Sequence, residues 1–382
     1  MTDPFATAEQ TALRATVRDF VRADVVPNLA RWEDEGELPR SLSRRAGELG
    51  LLGVAYPEAV GGGGGDAVDA LVVAEEFHYA GGSSGAFAAL FTTGISLPHL
   101  VRSGDRHLIE RYVRPALAGD LVGSLAITEP DGGSDVANIR TTAKRDGDEY
   151  VVDGAKTYIT SAVRGDFVVT AVRTGDAGAH GISLLVVDKG TPGFTVSRRL
   201  AKMGWLCSDT AELSYADVRV PVTNLVGREH GGFAQLADQF VAERIGLAVQ
   251  AYACAQRCLD LTVEWCRNRD TFGRPLISRQ QVQHTLAEMA RRIEVARVYT
   301  RSVAARSTST GDLVRDACFA KNTAVETGEW VAHQAVQLHG GMGYMREAEV
   351  ERQYRDMRIL GIGGGTTEIL AGLAAKTLGY TA

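Results

Sequence analysis

Residues Gly232–Thr271 read GFAQLADQFVAERIGLAVQAYACAQRCLDLTVEWCRNRDT, with no proline and one internal glycine, Gly246. At about 1.5 Å per residue, a helix through this stretch is roughly 55–60 Å long. That exceeds the ordinary surface helix several-fold, so the fold must be one in which other elements pack along a spine. Leu236, Phe240, Leu247 and Ala251 recur at helical spacing and mark its apolar stripe. Glu243 falls on the same stripe, three residues after Phe240 and four before Leu247. An acid there is either a solvated edge residue paired with Arg244 or a base whose pKa is raised by desolvation. The helix alone leaves both open.

The chain has 382 residues, 45% hydrophobic and 23% charged, with a formal net charge of -6. This is globular composition with length for two or three domains. No basic stripe argues for nucleic acid. The five cysteines, Cys207, Cys254, Cys258, Cys266 and Cys318, form no CxxC pair, and no metal site is expected. The first residues, MTDPFATAEQTALRATVRDF, lack the apolar core of a signal peptide, and no apolar run reaches membrane-spanning length. A cytoplasmic protein that neither spans nor binds a membrane is the expectation.

The texture of the chain divides it into three. Residues 1–120 read as helical: Ala8–Val26 capped by Thr7 with Gln10, then Arg40–Leu52, Ala67–Tyr79, a helix within Gly85–Ser103 kinked at Pro98, and Asp105–Leu117. Residues 121–228 read as short strands rich in Val, Ile, Thr and Tyr: EYVVDGAKTYIT, DFVVTAVRT, GISLLVVDK, GFTVSRR and TAELSYADVRVP. With a turn at Asp153–Gly154 and loops at Arg164–Gly165 and Thr174–Gly178, they predict a compact antiparallel β-barrel or sandwich. Residues 229–382 return to helix: the spine, Gln280–Ser307, Leu313–Gly340, Glu347–Met357 and Thr367–Leu378, a bundle. The class is α+β, with helical ends around a β middle.

Three stretches carry chemistry. Ala126–Asn138 reads AITEPDGGSDVAN, a strand end followed by hydroxyls and glycines that let backbone N–H groups approach a ligand. Gln337–Asp356 reads QLHGGMGYMREAEVERQYRD, where Gly340, Gly341 and Gly343 break a helix and free backbone amides; a plain corner reads the same way. Arg269, in RDTFG at the end of the spine, suits helix carbonyls or a ligand phosphate equally. The run Gly61–Gly65 has no preceding strand and no GK[ST], and reads as a connection.

These residues resemble the acyl-CoA dehydrogenase family. Ile127-Thr128-Glu129-Pro130-x-x-Gly133-Ser134-Asp135 matches its first signature, departing at Asn138 where a small residue is usual. Gln337, Gly340, Gly341, Gly343, Tyr344, Glu347, Arg352 and Asp356 match its second, and the helix–strand–helix order covers nearly the whole chain. The resemblance implies the family's fold, with a four-helix bundle as C-terminal domain, and FAD as cofactor. It places the flavin against Ile127, Thr128, Gly133 and Ser134, and against Tyr158, Ile159 and Thr160, with Tyr158 where many relatives have tryptophan. The ADP end of FAD is expected to reach across a dimer interface to Arg269, Thr271, Phe272, Gln280, Gln337 and Gly341, with Thr366 and Glu368 near the cofactor. A homotetramer, a dimer of dimers, is implied.

Many relatives carry the catalytic glutamate where this chain has Gly364. A branch resembling isovaleryl-CoA and long-chain acyl-CoA dehydrogenases carries it on the spine helix, immediately before an arginine, and Glu243-Arg244 matches that position. The implied reaction is α,β-dehydrogenation of an acyl thioester to the trans-2-enoyl product. Glu243 removes the α-proton as the β-hydride leaves for the flavin, and the thioester oxygen is held in part by the backbone N–H of Gly364. Electron-transferring flavoprotein is the expected acceptor. Ser134, Phe240, Arg244, Leu90 and Phe91 are the expected substrate contacts. The alternatives are the same oxidation on an acyl carrier protein, an oxygenase or oxidase on this fold, and a flavin-binding homologue without catalysis.

Overall fold

The computed structural model describes residues 7–307 and 313–380. The first helices are α1 (Ala8–Phe20), α2 (Leu29–Glu35), α3 (Arg40–Glu48) and α4 (Ala67–Tyr79). They are followed by α5 (Ser84–Leu90), α6 (Thr93–Ser103), α7 (Arg106–Leu108) and α8 (Arg114–Leu117). Thr7 and Gln10 close a capping box on α1, as their spacing predicts. The helical path runs on to Val25, but through a π-helical turn at Val21–Val25.

Pro98 does not break the helix in which it lies. The interruption comes earlier, at Phe91–Thr92, where α5 ends and α6 begins. Phe91 turns into the core of the first domain and stacks on Phe87 at 4.5 Å between ring centroids. Pro98 then sits in the second turn of α6, where the helix continues through it at the loss of one ladder hydrogen bond.

The middle of the chain is a curled seven-stranded sheet, ordered β1-β4-β2-β3-β7-β6, with β5 paired to β4. The strands are β1 (Gly123–Ala126), β2 (Thr142–Asp146), β3 (Glu149–Thr160), β4 (Phe167–Arg173), β5 (Ile182–Asp188), β6 (Phe194–Arg199) and β7 (Thr210–Pro221). The sheet is not wholly antiparallel: β1 runs parallel to β4 over Gly123–Ala126, because the β2–β3 hairpin intervenes between them. Nor is Asp153–Gly154 a turn. It lies inside β3, where the register against β7 shifts between Val152 and Gly154. A side chain at Gly154 would strike Thr141 Oγ1 at 2.6 Å, so the glycine permits a bulge beside the neighbouring strand. The tight turn is Gly147-Asp148, between β2 and β3.

The spine is α9, Gly232–Asn268. It stops short of Thr271 because Arg269 is extended and Asp270–Thr271 (β8) pairs with Arg274–Pro275 (β9) around Phe272 and Gly273, both at positive φ. Then come α10 (Gln280–Arg306), α11 (Val314–His339), α12 (Glu349–Met357) and α13 (Thr367–Thr377). The spine joins two cores. Its first turns, with Phe233, Leu236 and Phe240, pack with the sheet and the helices above it. From Ile245 onward it packs with α10, α11 and Leu71 and Ala74 of α4. Cys254 and Cys258 are buried in that second core, as small hydrophobes should be. Ser84–Ser103 is long and apolar enough by composition to cross a membrane, yet it is mostly buried in the protein and interrupted at its middle.

Candidate active site

Glu243 stands where the spine passes from one core to the other. Its carboxylate lies beside the turn that joins α12 to α13: a Cβ built on Gly364 would come 3.3 Å from Glu243 Oε1 and 2.5 Å from Leu247 Cδ1. Gly364 has φ +65, a left-handed conformation that glycine adopts without strain. Burial raises the Glu243 carboxyl above its ordinary value, while Lys321 and Arg244 pull the other way. Arg244 is itself buried, lies over the Phe240 ring at 5.5 Å, and points Nε at the Gly364 carbonyl from 3.5 Å.

Lys321 is the feature that sequence reasoning passed over. It is 1% exposed on α11 and donates to the carbonyls of both Gly363 and Gly365, the latter at 2.6 Å. Burial depresses its pKa to about 8, Glu243 opposing that shift and Arg244 adding to it. A signal was present: a lysine set among Ala317, Cys318, Ala320 and Ala324 interrupts a face otherwise made of small buried residues.

The loop after β1 is stapled from within. Glu129 accepts from the backbone N–H of Arg140 at 2.6 Å and of Thr141 at 2.8 Å, and from Lys156 Nζ at 2.8 Å. Burial alone would raise the Glu129 carboxyl, but Lys156 and these hydrogen bonds together hold it below its ordinary value. The Thr157 N–H donates to the Thr128 carbonyl and ties the loop to β3. This leaves Ile127 and Thr128 half-buried and Gly133 and Ser134 exposed on one rim, with the Tyr158 ring 69% exposed at φ +60 next to them. Ile159 is buried and Thr160 half-buried behind that ring. Among the described residues, the Thr128, Ser134 and Thr160 hydroxyls have no side-chain partner, and Gly132 has open space where a Cβ would stand.

Arg269, Thr271, Phe272 and Gln280 gather at the far end of α9, beside Gln337 and Gly341 at the end of α11. The Trp265 and His339 rings, stacked at 5.1 Å, join the two helix ends. Phe272 is 99% exposed, and Tyr344 and Met345, in the chain's second signature, are exposed as well. Twenty-six positions of helix, roughly 40 Å, separate Arg269 from Glu243, so one chain does not bring the two groups together. Thr366 caps α13 by accepting from the Ile369 N–H, and Glu368 lies in that helix's first turn. Leu90 is 3% exposed in the core of the first domain, and Phe91 is packed against the same core.

Family models for the N-terminal, middle and C-terminal domains of acyl-CoA dehydrogenases match residues 7–120, 124–218 and 230–379. The chain belongs to the acyl-CoA dehydrogenase family. A crystal structure of a putative acyl-CoA dehydrogenase from Mycobacterium smegmatis is similar at 68% identity over all of both chains, with a TM-score of 0.98. The long-chain specific mitochondrial enzyme of Sus scrofa is 36% identical over 97% of this chain and 86% of its own. The short-chain specific enzyme of Bos taurus is also 36% identical, over 94% and 87%. Overall identity therefore does not select an acyl length. Two further solved relatives bear on the chemistry: a glutaryl-CoA dehydrogenase in complex with FADH2, 26% identical with a TM-score of 0.93 over 100% of this chain and 97% of its own, and the prolyl acyl carrier protein oxidase AnaB, 27% identical with a TM-score of 0.93 over 98% and 100%. Acyl-CoA dehydrogenases are FAD enzymes and oxidoreductases of the CH–CH bond of acyl-CoA. The exposed Tyr158 ring, the free hydroxyls on its rim and the open Gly132 suit such a ring system and its polar chain.

Proposed function

We propose that this chain oxidises an acyl-CoA thioester to the trans-2-enoyl thioester, with Glu243 as the base. The observation that carries this reading is the Glu243 carboxylate, raised by burial and set against the Gly364 turn. FAD, when bound, supplies the acceptor for the β-hydride. The chain's residues do the rest. Glu243 takes the α-proton, and a raised pKa makes its conjugate acid stable enough to receive it. Charge then builds on the thioester oxygen, and the Gly364 backbone N–H is its donor. Ile127, Thr128, Gly133, Ser134, Tyr158, Ile159 and Thr160 hold the ring system, and Thr366 and Glu368 lie near it. Phe240, Arg244 and Ser134 bound the acyl chain, while Leu90 and Phe91 pack into the first core.

The remote group at Arg269, Thr271, Phe272, Gln280, Gln337 and Gly341 serves the neighbouring copy. Its distance from Glu243 and the fully exposed Phe272 support a homodimer that shares two flavin sites, paired again into a tetramer. The electrons then pass to a separate acceptor, an electron-transferring flavoprotein.

The test is anaerobic mixing of the FAD-loaded protein with acyl-CoAs of graded length and branching, followed by loss of the flavin's visible absorbance. Bleaching by one class, abolished in Glu243→Gln, is the expected result; bleaching that survives in Glu243→Gln assigns the base elsewhere. The likeness to AnaB favours a second reading, the same oxidation on an acyl carrier protein. It predicts bleaching by the carrier-bound acyl group and none by the CoA ester.

A further inference from the structure

The Gly363–Gly364–Gly365 turn is held from behind. Lys321 donates to the carbonyls of Gly363 and Gly365, Arg244 approaches that of Gly364, and Asn322 Nδ2 donates to the Thr367 carbonyl at 3.0 Å. In a planar trans peptide the C=O and the following N–H point in opposite directions. A Gly363 carbonyl fixed on Lys321 therefore turns the Gly364 N–H away from α11. Among the described residues no acceptor takes that N–H. Gly364 is half-buried, so its N–H, left free beside the Glu243 carboxylate, is open to a ligand oxygen.

We propose that Lys321 is a positioning residue for catalysis: its two carbonyl hydrogen bonds aim the Gly364 N–H at the thioester oxygen. This rests on the thioester reading above. Glycine at 363, 364 and 365 gives the turn no side chain to fix its peptide planes, so the orientation must be imposed from outside, and the ammonium on α11 is the group that reaches them. The charged and titratable groups facing the turn are Glu243 and Arg244 from the spine and Lys321 and Cys318 from α11.

The test separates proton removal from the rest of the reaction. A 3-thia-acyl-CoA has sulfur at the β position, so its α-C–H bond can break, the proton passing to Glu243 and the electron pair to the thioester oxygen, while no β-hydride is available. The enolate over oxidised flavin is read as new long-wavelength absorbance. FAD-loaded wild type, Lys321→Met and Glu243→Gln are titrated with 3-thiaoctanoyl-CoA and its C4 and C16 counterparts, beside flavin content and Tm. The expected result is absorbance in wild type, none in Glu243→Gln, and at least a tenfold lower enolate fraction at saturation in Lys321→Met, with the analogue's Kd changed less than threefold. Removal of one oxyanion donor costs on the order of 10²–10³ in rate, so anaerobic bleaching by substrate falls about 10–100-fold without a matching rise in KM.

An unchanged enolate fraction in the flavin-loaded Lys321→Met protein, with or without a lower Tm, overturns the positioning role and leaves the thioester reading standing. No absorbance with any analogue in flavin-loaded wild type overturns both. If Lys321→Met is not recovered folded, Lys321→Gln, which keeps a polar but shorter side chain in the cavity, is read by the same criteria.

Discussion

Glu243 is asked to hold a charge in surroundings that disfavour it, and the consequence is measurable. Its folded pKa lies above the unfolded value, so its contribution to stability is fully present below the unfolded pKa and is lost as pH rises through the folded one. Glu243→Gln escapes that loss. Its Tm should match wild type in acid and equal or exceed it at pH 8, although turnover is abolished; a Tm that falls at pH 8 would mean the carboxylate is stabilising. In wild type the acid limb of the rate profile should lie above the ordinary glutamate range. Gly364 gives a complementary expectation. A methyl group there meets Leu247 Cδ1 at 2.5 Å and a backbone at φ +65, which costs non-glycine residues about 1–2 kcal/mol. Gly364→Ala should lower both Tm and the bleaching rate. The same crowding gives a physical reason for the sequence pattern: a side chain at 364 and the Glu243 carboxylate compete for one volume.

Elements carry the next set of consequences. Asp356, at the end of α12, is fully buried and accepts from the Trp205 N–H at 2.6 Å and the Gly85 N–H at 3.1 Å. One carboxylate thus ties the C-terminal bundle to the loop before β7 and to α5. Burial raises it to about 6, with Glu33 adding to the shift and the two backbone donors and Arg355 opposing it. Asp356→Ala leaves the buried Gly85 donor and the half-buried Trp205 donor without this partner, at about 1–3 kcal/mol for the buried one, and should lower the midpoint of urea unfolding accordingly. Much at this scale was legible beforehand. Strands β3 to β7 follow the runs rich in Val, Ile, Thr and Tyr closely, β1 and β2 are not marked by such runs, and α9 follows from its unbroken helical stripe. What escaped reading depends on neighbours distant in sequence. The break falls at Phe91 rather than Pro98 because Phe87 and the first core draw the ring inward. Asp153–Gly154 is a bulge rather than a turn because Thr141 lies against it. Lys321 went unread because its partners are carbonyls, which no sequence pattern displays.

At the scale of the whole molecule, α9 sets the geometry. It carries Glu243 near one end and leads to Arg269 at the other, roughly 40 Å apart. In the assembly proposed above, each flavin takes its base from one chain and its remote anchor from the next. Two chains, each disabled at one end, should then repair each other. Glu243→Gln and Arg269→Ala would each be inactive alone, the first for want of a base and the second for want of bound flavin. In a mixed dimer one site inherits both defects and the other inherits neither. With random pairing about a quarter of all sites are wild type in composition, so co-expression should restore activity to about that fraction, while mixing the purified parents without subunit exchange should restore none. The length of one helix thus becomes a genetic property: inactivity at this locus is recessive between the two classes of defect, and complementation within a single gene maps which residues share a subunit's contribution to the site.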